Sequence, residues 1–337
     1  MSQNLPLFVQ FLLDPRPYPH EVSGVDLIQT HISYVFLAGD YVYKFKKPVD
    51  FGFLDFTTLA KRRFFCEQEL ILNRRLCPSI YLGLAAVTED VDGLHLDGPG
   101  EAIEFGVKMR RMPEELMMGR LIAEGGLRPV MIDQIVELLV PFYEQAAGGE
   151  KIREFGRASA VGLNIRENFA QTRGFVGQGV LTEDQFRLIE EYSLAVLRDE
   201  DLFNRRIDQG RIRDCHGDLH SGNICISDSI YIFDCIEFNE RLRYIDVASD
   251  VAFLTMDLDF HGFYELSKRF VQRFALASHD SGLFDVLNFY KCYRAYVRGK
   301  IDLLTAQEPE VDAATRAHCL VQARRYFALA SEYARQQ

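Results

Sequence analysis

The hydrophobic pattern of the chain changes near Met112-Pro113. Before this point, short runs of β-branched and aromatic residues predict strands, and after it apolar residues recur at helical spacing over long segments. This order predicts an α+β fold with two lobes. Residues 1–112 are predicted to form a small lobe with an antiparallel sheet plus a helix, and residues 113–337 a larger, mostly helical lobe. A linker near 110–113 and a cleft between the lobes belong to the same prediction.

The N-terminal part begins with a hairpin pattern. Residues 31–37 and 41–46 are strand-like and flank a turn-forming connection that contains Gly39. Residues 57–76 are charged on one side and apolar on the other, which predicts a helix that ends before a proline. The hairpin and the helix together predict the centre of the small lobe.

Further along the chain the signals become mostly helical. A second strand pair is predicted at 81–87 and 102–109, joined by a turn-rich segment. Thr182, with Gln185 three residues later, predicts the start of a helix by a capping box. Two short β-rich runs, 224–226 and 230–233, interrupt the helical pattern and predict a small hairpin.

Composition restricts the partners of the chain. There are 38 basic and 49 acidic residues, a net charge of −11, which argues against nucleic acid or an anionic membrane as the partner and permits a cationic substrate. The first 15 residues lack a secretory signal pattern, and no stretch reaches the roughly 18 apolar residues of a membrane span. Seven scattered cysteines without a CxxC pair predict buried thiols in a reducing compartment. We therefore expect a cytoplasmic protein.

One loop carries most of the predicted chemistry. Positions 216–223 read HGDLHSGN, and Asp234 follows a short hydrophobic run. Phosphoryl transfer from a nucleoside triphosphate needs a carboxylate to orient the acceptor hydroxyl and oxygen ligands to hold Mg²⁺ on the phosphates. Asp218, Asn223 and Asp234 provide side chains of these types.

This loop resembles the catalytic loop of the aminoglycoside phosphotransferase family, relatives of protein kinases. The resemblance implies a two-lobed protein-kinase-like fold in which Asp218 is the catalytic base and His216 supports the loop. It also implies that Asn223 and Asp234 bind magnesium. Asp246 begins an Asp-x-Ala element that, in the family, steadies the catalytic loop from a helix.

The resemblance extends to the predicted N-terminal, nucleotide-binding lobe. Kinase-like enzymes place a strand lysine against the nucleotide phosphates and pair it with a helix glutamate. Side chains alternate along a strand, so Val42 and Lys44 share one face, as the residue under adenine and the phosphate lysine should. Lys46 lies on the same face and is the reserve candidate. Glu69 best matches the paired glutamate, and Glu67 is the alternative.

Two departures from protein kinases concern the phosphates and the metal-binding loop. No GxGxxG precedes the first strand, so the segment 30–33, including Ser33, is the candidate cover for the phosphates. Ile236 stands where protein kinases have the glycine of Asp-Phe-Gly. The segments 43–48 and 233–239 resemble a bacterial subgroup of predicted phosphotransferases, sometimes fused to a P-loop ATPase domain. No GxxxxGK[ST] occurs here, which predicts that this domain is absent.

The predicted function is transfer of the γ-phosphoryl group of ATP, or GTP, to a hydroxyl of an unidentified small molecule, with Mg²⁺ as cofactor. Two alternatives stay open: a metal-dependent hydrolase that uses His216, Asp218 and His220 as ligands, and a nucleotide-binding regulator without catalysis. The oligomeric state is not predicted. Several charged residues near the predicted hinge and acceptor side are left without a role: Arg110, Arg111, Glu114, Asp257, Asp259 and His261.

Overall fold

The computed structural model describes residues 5–308 and 311–336. These residues divide into two compact units. Unit 1 combines the chain up to Arg120 with Asn223–Glu240, and unit 2 combines Leu121–Gly222 with the chain from Arg241 onwards. The predicted lobes, 1–112 and 113–337, stay a prediction, but the units add one fact: a short segment from far along the chain belongs to the N-terminal unit.

The strands lie mostly in the first third of the chain. In chain order they are β1 (Val25–Gln29), β2 (Ser33–Ala38), β3 (Tyr41–Lys46), β4 (Tyr81–Asp90), β5 (Gly93–Leu96), β6 (Glu101–Arg110), β7 (Ile212–Asp214), β8 (Ile224–Ile226), β9 (Ile230–Ile232) and β10 (Tyr244–Asp246).

The helices lie mostly in the remainder of the chain. They are α1 (Leu7–Leu12), α2 (Leu59–Asn73), α3 (Met118–Ala123), α4 (Pro129–Gln145), α5 (Glu150–Arg153), α6 (Ala158–Thr172), α7 (Glu183–Val196), α8 (Glu200–Asp208), α9 (Glu240–Arg243), α10 (Val247–Phe260), α11 (Tyr264–Ala277), α12 (Leu283–Thr305) and α13 (Ala313–Arg335), with 3-10 turns at Glu114–Leu116, Glu154–Gly156, Arg173–Phe175 and Ser221–Asn223. The predicted α+β class is confirmed.

Unit 1 is built on a six-stranded antiparallel sheet in the order β1-β2-β3-β6-β4-β5. One face carries Phe36 and Tyr43, which pair across β2 and β3 and pack with α1. The other face carries Val42 and Val107, which pack with α2. Because side chains alternate along β3, Lys44 shares the α2 face with Val42.

The predicted elements of unit 1 are present, with additions. The β2–β3 hairpin turns at Gly39, whose φ of 57° lies in the left-handed region that residues with a side chain rarely adopt. Helix α2 is shorter than predicted and begins after Thr58, whose hydroxyl accepts the N–H of Lys61 at 3.2 Å. The sequence analysis missed α1, β1 and β5. Of these, β5 lies inside the segment predicted as a turn and is an edge strand of four residues.

Unit 2 is predominantly helical. Helix α7 begins with the predicted capping box of Thr182 and Gln185. Helix α10 is buried along its whole length and packs against α11 and α12. Complete burial is unusual for a helix with three aspartates, so their partners are informative.

Two bulk features accompany this fold. Within the described part of the chain, no helix is both long and apolar enough to cross a membrane. All seven cysteines are buried, as predicted.

Candidate functional site

Two lysines of β3 meet carboxylates from α2 and from the segment after β9. The ammonium of Lys44 lies 3.0 Å from Glu69 Oε1 and 2.5 Å from Asp234 Oδ1. The ammonium of Lys46 lies 2.7 Å from the other oxygen of Glu69, Oε2, and also contacts Glu237. All five residues belong to unit 1. The structure therefore joins three separate stretches of chain in one charged network.

Burial makes this network energetically significant. The side chains of Lys46 and Glu69 are each 1% exposed, whereas that of Asp234 is 44% exposed. Burial alone would raise the pKa of Glu69, but the charges of Lys44 and Lys46 outweigh it and lower this pKa to about 2. Burial would likewise lower the pKa of Lys44, but Asp234 and Glu69 raise it well above its usual value. Both partners of the Lys44–Glu69 pair are thus charged at neutral pH.

The backbone of Asp234 adopts an unusual conformation. Its φ is 63°, in the left-handed region that residues other than glycine visit rarely, at a cost on the order of 1 kcal/mol. Two neighbours hold this conformation. The Asp234 N–H donates to the hydroxyl of Tyr81 at 3.3 Å, and the Cys235 N–H donates to Asn73 Oδ1 at 2.9 Å. The direction of the Asp234 carboxylate is therefore set by α2 and β4 as well as by Lys44.

Asn223 lies at the same end of the β8–β9 hairpin as Asp234. Ile224 pairs with Ile232, and one step further the Phe233 N–H donates to the Asn223 carbonyl at 3.0 Å. The side-chain oxygens of Asn223 and Asp234 are an amide and a carboxylate, the donor types that Mg²⁺ accepts. This donor set suits one divalent cation that takes its remaining ligands from phosphates and water. Among residues 5–308 and 311–336, no group of three or more His, Cys, Asp or Glu side chains is arranged to hold a metal ion.

The predicted catalytic loop belongs to unit 2 up to Gly222 and is held by helix α10. Asp250 accepts the N–H groups of His216 at 2.7 Å and Gly217 at 2.9 Å. Asp257, on the same helix, accepts the Ser221 N–H at 2.8 Å. Residues 250 and 257 are two turns apart and share a helix face, so both ends of the loop are attached to one rigid element.

Asp246 has a different role from the predicted one. Its carboxylate accepts the Ala248 N–H at 2.9 Å, which caps α10, and it forms a buried ion pair with Arg206 at 2.8 Å. The loop amides are held by Asp250, four residues later. The loop is thus held from the helix that the Asp-x-Ala element begins, but by Asp250, whereas Asp246 caps that helix.

Asp218 contacts a histidine of its own loop. His220 Nε2 lies 3.4 Å from Asp218 Oδ2, and the Nδ1 of the same ring accepts the Gly222 N–H at 3.1 Å. Burial would raise the pKa of Asp218, but His220 and Arg298 lower it well below its usual range. Asp218 is thus an ionised carboxylate, the state that a proton acceptor requires.

The same contacts weigh against the hydrolase alternative. The Nδ1 of His216 accepts the Asp218 N–H at 3.3 Å, and His216 is completely buried. The Nδ1 of His220 is engaged by Gly222, and its Nε2 faces Asp218. Metal ligation by these three residues together would require the loop to give up its internal hydrogen bonds.

The remaining predicted residues are Val42, Glu67 and Ser33. Val42 packs half-buried in the apolar cluster between the sheet and α2, and Glu67 is 40% exposed and pairs with Arg63. Ser33 is completely buried, its hydroxyl has no hydrogen-bond partner, and its N–H donates to Thr30 Oγ1 at 2.9 Å. A phosphate-covering role for Ser33 would require this turn to rearrange, and that role stays a prediction.

The sequence analysis missed Glu237 and Asp250. A signal for Glu237 existed, because two lysines on one buried strand face need more than one carboxylate. The structure brings Lys44, Lys46, Glu69 and Asp234 together in unit 1. Asp218 belongs to unit 2, so its convergence with Asn223 and Asp234 stays a prediction.

Similar proteins are known at the level of sequence and of structure. No protein-family model matches the chain. An uncharacterized protein of Mycobacterium tuberculosis is 35% identical over 307 residues, which are 90% of this chain and 59% of the relative. The chain thus spans about three fifths of the length of the curated relatives that it matches.

Similar solved structures include kinases and aminoglycoside phosphotransferases. An amicoumacin kinase in complex with AMP-PNP, Ca²⁺ and Ami has a TM-score of 0.48 at 13% identity, covering 95% of this chain and 91% of that chain. A putative aminoglycoside phosphotransferase from Ralstonia eutropha has a TM-score of 0.48 at 10% identity, covering 98% and 96%. Similarity this low carries no residue roles over to the present chain.

Proposed function

We propose that the chain is a phosphotransferase that moves the γ-phosphoryl group of ATP or GTP to a hydroxyl of a small molecule, as in the aminoglycoside phosphotransferase family that its motifs resemble. One observation carries the proposal: the ammonium of Lys44 lies between Glu69 and Asp234, which come from distant parts of the chain. A strand lysine paired with a helix glutamate, near a half-exposed aspartate, is the arrangement with which protein kinases bind a magnesium triphosphate.

In this proposal, the residues of unit 1 bind the nucleotide. Lys44 would contact the phosphates, with Glu69 fixing its position. Val42 lies on the same strand face as Lys44 and would support the base with its apolar side chain. Asn223 and Asp234 would hold Mg²⁺, which when bound neutralises charge on the phosphates. Lys46, the reserve phosphate lysine, is almost completely buried and is therefore not proposed as a phosphate ligand.

Unit 2 supplies the proton acceptor. In the proposed reaction the acceptor hydroxyl loses its proton to the Asp218 carboxylate while its oxygen forms a bond to the γ-phosphorus. The bond from phosphorus to the β-phosphate oxygen breaks, and the nucleoside diphosphate leaves. The ionised state of Asp218 and the attachment of its loop to α10 support this role.

The chain itself restricts the acceptor only by charge. A net charge of −11 favours neutral or cationic hydroxyl compounds over polyanions such as nucleic acid. Sugars, amino alcohols and related metabolites are the first compounds to test. Because the chain spans only part of its relatives, activity of the longer proteins is a separate proposal.

The first experiment is calorimetric titration of the purified chain with ATP and GTP, with Mg²⁺ and with EDTA, followed by transfer of labelled γ-phosphate to a panel of hydroxyl compounds. We expect magnesium-dependent binding and one labelled product class. Binding without transfer to any compound would favour the regulator. Stoichiometric zinc or iron by elemental analysis, without nucleotide binding, would favour the hydrolase and contradict the proposal.

A further inference from the structure

Glu237 is the second carboxylate in contact with Lys46. Lys44 and Lys46 both contact Glu69, one at each carboxylate oxygen, so Glu69 alone leaves one positive charge uncompensated. An uncompensated charge at a site that is 1% exposed is strongly unfavourable. Asp234 is the second carboxylate in contact with Lys44, and Glu237 is the second carboxylate in contact with Lys46. Each lysine is thus paired with a carboxylate of the segment after β9.

Lys46 is placed to act through other residues. Its side chain is almost completely buried, and its ammonium lies over the ring of Phe56 at 4.9 Å from the ring centroid. Both of its charged partners, Glu69 and Glu237, are buried as well. A bound nucleotide would need a large rearrangement to reach this ammonium. Its contacts instead connect α2 to the segment that contains Asp234.

That segment is attached to the rest of unit 1 at four successive points. Asp234 and Cys235 donate their N–H groups to Tyr81 and Asn73. Glu237 contacts Lys46, and the Asn239 side-chain amide donates to the Phe53 carbonyl at 2.9 Å. The left-handed backbone of Asp234 begins this attached segment. A conformation of this kind persists only when its surroundings determine it strongly.

We propose that Lys46 and Glu237 are a second, positioning ion pair, which fixes the segment 234–237 so that the Asp234 carboxylate is directed toward Lys44 and a magnesium-bound nucleotide. Neither residue contacts the nucleotide. The pair acts on magnesium binding through the backbone of Asp234. This inference rests on the proposed function.

The main test is the isosteric variant Glu237→Gln, which removes the charge of the carboxylate but keeps its volume. Affinities for ATP are measured by calorimetry with Mg²⁺ and with EDTA, together with the melting temperature. We expect the affinity for magnesium-ATP to fall about tenfold, the size typical of residues that orient a metal ligand, and the EDTA affinity to stay unchanged. Asp228→Asn, in the exposed β8–β9 turn, is the matched control and should change neither affinity.

A second variant covers the case in which Glu237→Gln does not fold because the buried Lys46 has lost one of its two carboxylate partners. The double variant Lys46→Met/Glu237→Gln removes both charges and leaves Glu69 paired with Lys44. We expect it to fold and to show the same selective loss of magnesium-ATP affinity, since two residues that act as a pair are not additive.

The outcomes separate this inference from the proposed function. If the unmodified chain binds no magnesium nucleotide, both are overturned. If it binds and the charge-free variants keep full magnesium-ATP affinity, only the inference is overturned. An equal loss of affinity with Mg²⁺ and with EDTA, in step with the melting temperature, also overturns it, because the pair then acts on stability alone.

Discussion

The ammonium of Lys44 lies 2.5 Å from the carboxylate of Asp234, although the two residues are 190 positions apart in the chain. The same ammonium lies 3.0 Å from Glu69. Because both carboxylates contact the same ammonium, a shift of Glu69 would change the contact of Asp234 with Lys44, and the reverse.

Glu69 should be essential for stability, unlike its neighbour Glu67. Glu69→Gln removes the one buried carboxylate that contacts both Lys44 and Lys46, and we expect the free energy of unfolding to fall by about 3–5 kcal/mol. Glu67→Gln, on the same helix, removes only an exposed pair with Arg63 and should change it by less than about 1 kcal/mol. Urea denaturation of both variants measures the difference. Equal effects would contradict the choice of Glu69 as the paired glutamate.

Asp234 should be needed for magnesium-dependent binding rather than for folding. Asp234→Asn retains a residue that tolerates the left-handed backbone but removes the charge. We expect weaker magnesium-ATP binding by calorimetry and little change in melting temperature. Asp234→Ala should bind as weakly and also melt lower, because alanine is strained at a φ of 63°. Full magnesium-ATP affinity in either variant would exclude Asp234 as a metal ligand.

Asp218 should be needed for transfer but not for nucleotide binding. We expect Asp218→Ala to reduce phosphoryl transfer at least 10²-fold, because the acceptor hydroxyl loses its proton acceptor. Nucleotide affinity should stay close to that of the unmodified chain. The measurements are label transfer to the identified acceptor and calorimetry, with Asp201→Asn on the exposed start of α8 as control. Undiminished transfer would rule out Asp218 as the base.

Asp250 should hold the catalytic loop. Asp250→Asn replaces two charge-assisted hydrogen bonds to the N–H groups of His216 and Gly217, and we expect a loss of about 1.5–3 kcal/mol in stability. Hydrogen exchange of these two loop amides should accelerate more than exchange of the amides of α10. The amide of Ser221, which Asp257 accepts, is the internal reference. Unchanged exchange at residues 216 and 217 would show that the loop is held by other contacts.

The pH dependence of stability should include a contribution from Asp133. Hydrogen bonds from Arg269 and Arg273 lower the pKa of Asp133 to about 2. Because the folded-state pKa is below the unfolded value of 3.8, the stabilisation is present above about pH 4 and lost as the pH falls toward 2. Asp133→Asn should therefore lower stability by up to about 1 kcal/mol at pH 7 and by less at pH 3. Urea denaturation at both values measures this difference.

The control for this prediction is Asp184→Asn, an exposed carboxylate near the start of α7. It should change stability by less than Asp133→Asn at both values. A deficit of Asp133→Asn that grows toward acid pH would contradict the assignment.

The sequence was most informative where the signals are local. The β2–β3 hairpin depends on Gly39, and α7 begins at a capping box, so neighbouring residues are enough to predict both. Strand β5 could not be predicted in this way. Its four residues are ordered only because β4 offers a partner edge, and that partner is defined by the tertiary fold.

For the candidate site, the sequence indicated residue types better than partnerships. Alternation along β3 placed Lys44 and Lys46 on one face, which the structure confirms. The sequence did not indicate that Glu237 in particular would approach Lys46, since the two residues are 191 positions apart. Asp246 and Asp250 both lie at the start of α10, and only the contacts of each carboxylate distinguish the cap from the residue that holds the loop.

Unit 1 is formed by two stretches of the chain that are far apart in sequence, and this affects the order in which it can assemble during biosynthesis. Residues 121–222 must leave the ribosome after the sheet and before Asp234 and Glu237, which takes roughly 5–20 s at ordinary translation speed. Throughout this interval the nascent sheet contains two lysines that face a single glutamate. The buried charge network of unit 1 therefore cannot form completely until Asp234 and Glu237 have been synthesised.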